Sequence, residues 1–152
     1  MDGKKILGVT AAAVAAALLA GCEGGVPSRV HKGQVDAVLD QSPTEGDFLV
    51  AIGLGGSDPK LQSDTQRKAL ARDAAIVKAQ YEMLSMIKGV TLKGGVRVVD
   101  ALESDSQLDA QILDAIRGAE IVKSEFTSDN GCVVTLRLPK ERLERMMGAQ
   151  FE

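Results

Sequence analysis

The sequence predicts an α+β fold, in which one long helix packs on a small, mainly antiparallel sheet. A second helix, a C-terminal hairpin and a terminal helix complete the compact domain. Residues 48–54 form an unbroken apolar run of strand length, which is typical of a strand buried on both faces. Residues 65–88 are rich in Ala and have apolar side chains at helical spacing. These two segments predict the sheet and the long helix.

The first residues have the order of a secretory signal. Lys4 and Lys5 precede an apolar run over residues 6–19, which is shorter than the roughly 20 residues that a membrane span needs. A short buried helix is disfavoured, because a core helix seldom has a dibasic start and no polar face. Residues 19–22, Leu-Ala-Gly-Cys, resemble the bacterial lipobox. The resemblance implies that Cys22 is alkylated by diacylglycerol, becomes the first residue after cleavage and is acylated on its nitrogen, so we expect residues 1–21 to be removed.

The residue after Cys22 bears on which membrane holds the lipid. Glu23 follows Cys22, whereas Asp at this position retains many Gram-negative lipoproteins at the inner membrane. Each buried methylene contributes about 0.8 kcal/mol, and two or more acyl chains hold a protein stably. We therefore expect a lipid-anchored protein of the outer membrane that faces the periplasm.

Composition limits the possible functions. The 152 residues suit one core, and the formal net charge of −3 argues against nucleic acid, which requires a concentrated basic surface. There is no Trp, one Tyr and three Phe, so a stacking platform for bases or sugars is not expected. If Cys22 is a thioether, Cys132 has no partner for an intramolecular disulfide.

Residues 22–46 carry Gly and Pro among mixed polar residues, which predicts a flexible tether with a short helix at residues 34–39 before the domain of residues 47–152. His31, the only histidine, is expected to be an ordinary solvated residue because no second ligand lies near it in sequence. Gly53, Gly55 and Gly56 suggest a phosphate-binding loop, but Asp58 and Pro59 follow in place of a helix start. We expect a bulge or a close backbone approach at these glycines instead.

Asp64 or Thr65 is expected to cap the long helix, and Gly89 to end it. Because an α-helix turns by 100° per residue, its apolar residues fall into two stripes. The first stripe contains Leu70, Val77, Tyr81 and Leu84, and the second contains Ala69, Ile76, Met83 and Ile87. One stripe is expected on the sheet and the second on a neighbouring subunit, with Asp73 and Gln80 at the boundary. The alternative is a single wide core face with these two polar residues at its rim. The basic side, which includes Ala71, Ala75 and Ala79, is expected to face solvent.

Residues 90–99 alternate around Gly94 and Gly95, which predicts either a hairpin or one strand with a bulge. Ser104 with Gln107 resembles a capping box for the next helix, and Asp105, Asp109 and Asp114 on that helix are expected to be solvated rather than to bind a cation.

The chain is then expected to form a hairpin from residues 121–126 and 132–138, with its tight turn at Asn130 and Gly131. Cys132 should be a small buried apolar residue, since its flanking residues offer no group that lowers a thiol pKa. Pro139 suits the first turn of the terminal helix.

Several segments resemble the family of twenty-kilodalton Lpp outer-membrane lipoproteins, which includes a flagellar assembly lipoprotein. The segments are residues 51–55 (AIGLG), 69–75 (ALARDAA), 78–79, 84 and 87–90, and 133–139 (VVTLRLP). The resemblance covers about residues 48–143. It implies a compact α+β domain with a ring-forming or scaffold role at the outer membrane, and it supplies no catalytic residues.

These observations favour a lipid-anchored structural protein that self-associates, with a disk or ring around a flagellar basal body as its setting. The surface expected for this homo-oligomer comprises Ala69, Asp73, Ile76, Gln80, Met83 and Ile87. The alternative function is a monomeric binding module for a small ligand or an envelope polymer, with Asp73 and Gln80 as its polar contacts. An enzyme is not expected, and no catalytic residue, cofactor or metal is assigned, because one histidine and one strand cysteine do not supply a nucleophile, base and stabiliser together.

Overall fold

The computed structural model describes residues 26–36, 39 and 44–151, and they form the α+β fold that the sequence predicts. Residues 1–21 and Cys22 lie outside the described residues. In chain order the elements are β1 (Val30–His31), β2 (Gln34–Val35), β3 (Thr44–Glu45), β4 (Phe48–Gly55), α1 (Asp64–Gly89), α2 (Val98–Ser104), α3 (Ser106–Arg117), β5 (Glu120–Phe126), β6 (Cys132–Pro139) and α4 (Lys140–Met147).

The main sheet has four strands in the order β3-β4-β6-β5, and every neighbouring pair is antiparallel. β4 and β6 are its central strands, with Ala51 opposite Leu136. Residues 49–53 are buried on both faces, as the continuous apolar run predicts. Strands β1 and β2 form a separate two-residue hairpin.

Within residues 26–36, 39 and 44–151, the four helices share one hydrophobic core with one face of β4 and β6. This core contains Ala71, Ala75, Ala79, Met83 and Ile87 of α1, Val98 and Leu102 of α2, Ile112, Ala115 and Ile116 of α3, Leu143 of α4, and Cys132, Val134, Leu136 and Leu138 of β6. The predicted common face of β6 is therefore confirmed. No helix in the described part of the chain is long and apolar enough to cross a membrane.

The segment around Gly94 and Gly95 is a turn and not a bulged strand. The Leu92 N–H donates to the Val96 carbonyl at 2.8 Å, and both glycines have positive φ. The expected strand does not continue to Val99, because α2 begins at Val98. Val98 and Leu102, one helical turn apart, are both buried in the core, and this packing favours helix over strand.

Helices α3 and α4 each begin one residue later than predicted. The cap of α3 is Asp105, whose carboxylate accepts the Gln107 and Leu108 N–H groups at 2.9 and 3.1 Å. Ser104, the expected cap, ends α2 and donates its hydroxyl to the Asp100 carbonyl. Pro139 precedes the first turn of α4, which begins at Lys140. The Asp105 carboxylate at the cap of α3 also suits the positive end of the dipole of that helix.

Candidate functional site

Helix α1 runs for 26 residues, as the Ala-rich segment predicts, but neither Asp64 nor Thr65 caps it as expected, because both lie within its first turn. Ser63 caps it by accepting the Gln66 N–H on Oγ, at 3.5 Å. Asp64 in the first turn and Lys88 in the last turn complement the helix dipole. The helix forms one side of the domain and presents one face to the sheet and one to solvent.

The face of α1 that packs on the sheet is made of alanines. Ala71, Ala75 and Ala79 are completely buried, and they lie over Gly53 and Gly55 of β4. A Cβ atom added to Gly55 would lie 1.8 Å from the Ala71 carbonyl oxygen, so only glycine permits this separation. The close backbone approach expected at these glycines is confirmed, and the alanines expected to face solvent form the inner face instead.

The opposite face of α1 is apolar and exposed. Leu70, Val77 and Tyr81 are 53, 65 and 64% exposed, and Ala74 lies exposed between them. We call these four residues the α1 stripe. Their spacing of four, three and four residues is that of the contact positions in a coiled coil. The stripe that the sequence placed on the sheet therefore faces solvent along most of its length.

The six residues expected to mediate self-association do not share one exposed surface. Met83 and Ile87 are completely buried within the core of their own chain, and Ile76 is half-buried against that core. Ala69 and Asp73 are exposed, and Gln80 is half-buried. Side chains that fill this chain's own core are not available to a second copy, so the exposed apolar surface of α1 is the α1 stripe.

Two opposite charges border the α1 stripe. At 3.6 residues per turn, Asp73 and Lys78 lie on its two sides. The Lys78 ammonium is 2.5 Å from the Glu82 carboxylate and 5.1 Å from the centre of the Tyr81 ring. The hydrogen bond to Glu82 raises the pKa of Lys78. Lys78 is therefore a permanent cation beside the stripe.

A second feature is the attachment of residues 26–36, which precede the main sheet, to strand β5. Within the expected tether, residues 30–31 and 34–35 form the β1–β2 hairpin, so the short helix expected at residues 34–39 does not form at its start. The Arg29 N–H donates to Glu125 Oε2 at 2.9 Å, and the Ser28 hydroxyl donates to Oε1. Lys123 Nζ donates to the Val26 carbonyl at 3.2 Å. These contacts fix the segment to β5.

Glu125 is the centre of this attachment. Burial disfavours the ionised form of Glu125. The hydrogen bonds from Ser28 and Arg29, together with the charge of Lys123 at 3.7 Å from the carboxylate, outweigh the effect of burial. Together they hold the pKa of Glu125 below its ordinary value. The attachment is therefore strongest when Glu125 is ionised.

The Gly33 carbonyl accepts the Ser128 N–H at 2.8 Å, which joins the β1–β2 hairpin to the β5–β6 turn. A cleft of about 450 Å³ lies between them, lined by Gly33, Gln34, Val35, Leu54, Gly55, Gly56, Thr127, Ser128, Asp129, Gly131 and Cys132. Hydrogen bonds from the Thr127 hydroxyl and the Gly131 N–H lower the pKa of Asp129. Its carboxylate therefore stabilises the turn.

The remaining residues with possible chemistry have structural surroundings. His31 Nδ1 lies 2.7 Å from the Asp36 carboxylate within the hairpin segment. Cys132 is 2% exposed, and burial raises the pKa of its thiol, which confirms the prediction of a small buried residue. Among residues 26–36, 39 and 44–151, no three His, Cys, Asp or Glu side chains come together in a way that could hold a metal ion.

Comparison with protein-family models, with curated proteins and with solved structures finds no match for this chain.

Proposed function

We propose that the protein is a lipoprotein of the outer membrane that faces the periplasm and self-associates as a structural element of the envelope. Lipid on Cys22 anchors it, and the α1 stripe joins one copy to a second copy. The lipobox in the sequence supports the anchor. The observation that carries the self-association is an apolar stripe with coiled-coil spacing on the exposed side of α1.

The charges beside the stripe favour a second copy as its occupant. In a parallel coiled coil, position g of one helix lies beside position e of the partner, five residues further along. Position g directly precedes a contact residue, and position e directly follows one. Asp73 precedes Ala74, and Lys78 follows Val77, five residues further along. A parallel pair of α1 helices thus brings Asp73 of each copy beside Lys78 of the other, at both edges of the contact.

The size of the stripe explains why the anchor matters. From Leu70 to Tyr81 it is about 17 Å long and about 10 Å wide. This contact area is well below the ~800 Å² per partner of a standard stable interface. Association in free solution is therefore weak. Lipid anchoring confines the copies to one surface, raises their effective concentration and favours assembly.

The test is energy transfer between donor-labelled and acceptor-labelled copies of the lipidated protein on vesicles, with the labels attached through Glu103→Cys on α2. Val77→Asp places a charge in the stripe and should abolish transfer above the level of random encounters. Gln111→Asp, at an exposed position of α3, is the matched control and should leave transfer unchanged. Equal transfer for wild type and Val77→Asp would contradict the proposal.

The charge pair has its own test in the same assay. Asp73→Lys and Lys78→Asp should each lower energy transfer, because each places like charges together at both edges of the contact. The double variant restores opposite charges and should recover most of the transfer. If the double variant is as weak as the single variants, the parallel arrangement is wrong.

A flagellar setting rests on the family resemblance alone. The proposal predicts that a strain lacking this protein loses a disk or ring from its basal bodies, visible by electron cryotomography. Intact basal bodies would leave self-association in the envelope without a flagellar role.

The second candidate is a monomeric binding module. Asp73 and Gln80 do not line the cleft beside the β1–β2 hairpin, so they are not its polar contacts. The cleft beside the β1–β2 hairpin is within the usual size range of ligand sites. Leu54→Arg would fill this cleft. If the cleft binds an envelope polymer, this variant of the lipidated protein should capture less of it than the wild type, and equal capture would contradict this candidate.

A further inference from the structure

The face of the main sheet that is turned away from α1 has a buried apolar centre. Val134 of β6 lies in the core shared with the helices, so its neighbours Val133 and Thr135 point to the other side. Their register partners on β4, Leu54 and Ile52, point with them. We call the following residues the second face: Val50, Ile52, Leu54, Val133 and Thr135. All of them except Leu54 are at most 8% exposed, although the helices lie on the opposite side.

Residues 26–36 cover the second face, and we call them the cover. Lys123 and Glu125 of β5 pair with second-face residues of β6 and therefore point to the same side. Both side chains bind the first residues of the cover. Val35, at the other end of the cover, lines one cleft together with Leu54 of the second face. The cover thus reaches from β5 to the β4 side of the second face.

The cover leaves polar atoms without partners. Thr135 Oγ1 on the second face and Arg29 Nε in the cover are both buried and have no hydrogen-bond partner. A buried polar atom without a partner lowers stability. Detachment of the cover lets both atoms find partners, which offsets part of the cost of exposing the second face.

Helix α1 runs almost along the strands of the sheet. Gly53 of β4 lies against Ala75 and Ala79. Gly55, two residues further on, lies against Ala71 and Ala75. A step of about 7 Å along β4 thus corresponds to a step of about 6 Å in the reverse direction along α1. A parallel pair of α1 helices has its two-fold axis along the helices, so this axis also runs along the strands.

We propose that the cover is autoinhibitory and blocks a second contact between copies of this chain. When the cover detaches, the second face of one copy packs on the second face of another, with the strands aligned as in stacked sheets. A two-fold axis beside Thr135 lets the two Thr135 hydroxyl groups bond to each other, whereas under the cover this hydroxyl has no partner. This inference rests on the proposed self-association through the α1 stripe.

The two contacts are compatible on one membrane. The α1 stripe and the second face lie on opposite sides of the sheet, and both two-fold axes run along the strands. Two parallel two-fold axes join the copies into a row in which every copy has the same end toward the membrane. With the cover in place, assembly stops at pairs, and its detachment extends the pairs into rows.

The test uses the lipidated full chain on vesicles, with the labels for energy transfer on Glu103→Cys. Val77→Asp removes the contact through the α1 stripe, so transfer in this background starts at the level of random encounters. Lys123→Ala together with Glu125→Ala removes the side chains that hold the cover. Adding these two changes to Val77→Asp should raise transfer several-fold above that level.

The controls separate the cover from other effects. Glu120→Ala with Arg137→Ala removes an ion pair on the same side of the sheet, and it should leave transfer at the level of random encounters. Leu54→Asp, at the exposed edge of the second face, should abolish the regained transfer. Amide exchange at Ser128, whose N–H donates to the Gly33 carbonyl, reports detachment and should become several-fold faster when the cover is released.

The outcomes separate the cover from the function on which it rests. Faster exchange at Ser128 without regained transfer would overturn the inference and leave the proposed function intact. Unchanged exchange would also overturn it, because Lys123 and Glu125 would then not hold the cover. Regained transfer that survives Leu54→Asp would exclude the second face as the contact. If Val77→Asp alone transfers as well as the wild type, the proposed function fails and this inference fails with it.

Discussion

The packing of α1 on β4 depends on Gly53, which makes Gly53→Ala the most informative single change in the fold. The added Cβ would lie 2.0 Å from the Ala75 carbonyl oxygen and 2.4 Å from the Ala79 N–H nitrogen. Ordinary contacts begin at 3.4 Å. Both neighbours are backbone atoms, so no side chain can rotate away to make room. Helix α1 itself must therefore move away from β4 by roughly 1 Å or more.

Withdrawal of α1 has a cost that can be bounded. Overpacking of this kind costs about 1–3 kcal/mol and occasionally more. Replacing a strand glycine returns about 0.5–1 kcal/mol by restricting the unfolded chain. Because the overlap is with backbone atoms, the upper end of the overpacking range applies, and we expect a net loss of about 2 kcal/mol in the free energy of unfolding. With a urea dependence of about 1–3 kcal/mol per molar, the unfolding midpoint falls by roughly 1 M.

The assay is urea unfolding of the purified chain, followed by far-ultraviolet circular dichroism. Gly56→Ala is the matched control, because a Cβ there meets nothing within 4 Å. It should leave the midpoint unchanged or raise it slightly. If Gly53→Ala and Gly56→Ala unfold at the same urea concentration, the close contact between α1 and β4 described above is wrong.

Three further predictions concern individual side chains. Glu125→Gln should lower the free energy of unfolding by about 1 kcal/mol at neutral pH. Because the folded pKa of Glu125 is lowered, its stabilisation is present above the ordinary value of 4.5 and is lost as pH falls through the folded value, so wild type and variant should converge in acid urea titrations. The Cys132 thiol, buried and with a raised pKa, should react with a thiol reagent about 100-fold or more slowly in the native protein than in urea; equal rates would contradict its burial. Val77→Asp should change the free energy of unfolding by less than about 0.5 kcal/mol, because Val77 is 65% exposed, and a large loss would show that the residue is part of the core.

The sequence predicts the elements of the fold well because their signals are local. The unbroken apolar run of β4, the length of α1, and the buried Cys132 of β6 all follow from nearest-neighbour patterns. Gly53 and Gly55 of β4 also predict either a bulge or a close backbone approach, and the structure shows the close approach. Each of these features depends on residues within a few positions of one another.

The inner face of α1 could not be assigned from hydrophobicity alone. Larger apolar side chains such as Val77 carry a stronger signal than Ala75, and periodicity therefore predicts that the stripe containing Val77 packs on the sheet. The signal that identifies the true face is non-local: small residues one turn apart on α1 match glycines two residues apart on β4. A second, local signal is the pair Asp73 and Lys78, whose charges border the exposed stripe.

The attachment of residues 26–36 was also beyond local patterns. Gly and Pro in this segment indicate a flexible chain, and neither Ser28 nor Arg29 carries a signal for strand or helix. Their partner Glu125 lies almost a hundred residues later and is recognisable only once β5 is in place. These contacts fix to β5 a segment that the sequence predicts to be a flexible tether.

The central claim is that two copies meet through the α1 stripe on one membrane surface. Disulfide formation by Val77→Cys in the lipidated protein on vesicles tests it most directly, because contact positions of paired helices lie close enough to bridge. The account predicts rapid, nearly complete covalent dimer with Val77→Cys and little dimer with Gln111→Cys, exposed on α3. Equal, slow cross-linking of the two variants would contradict it.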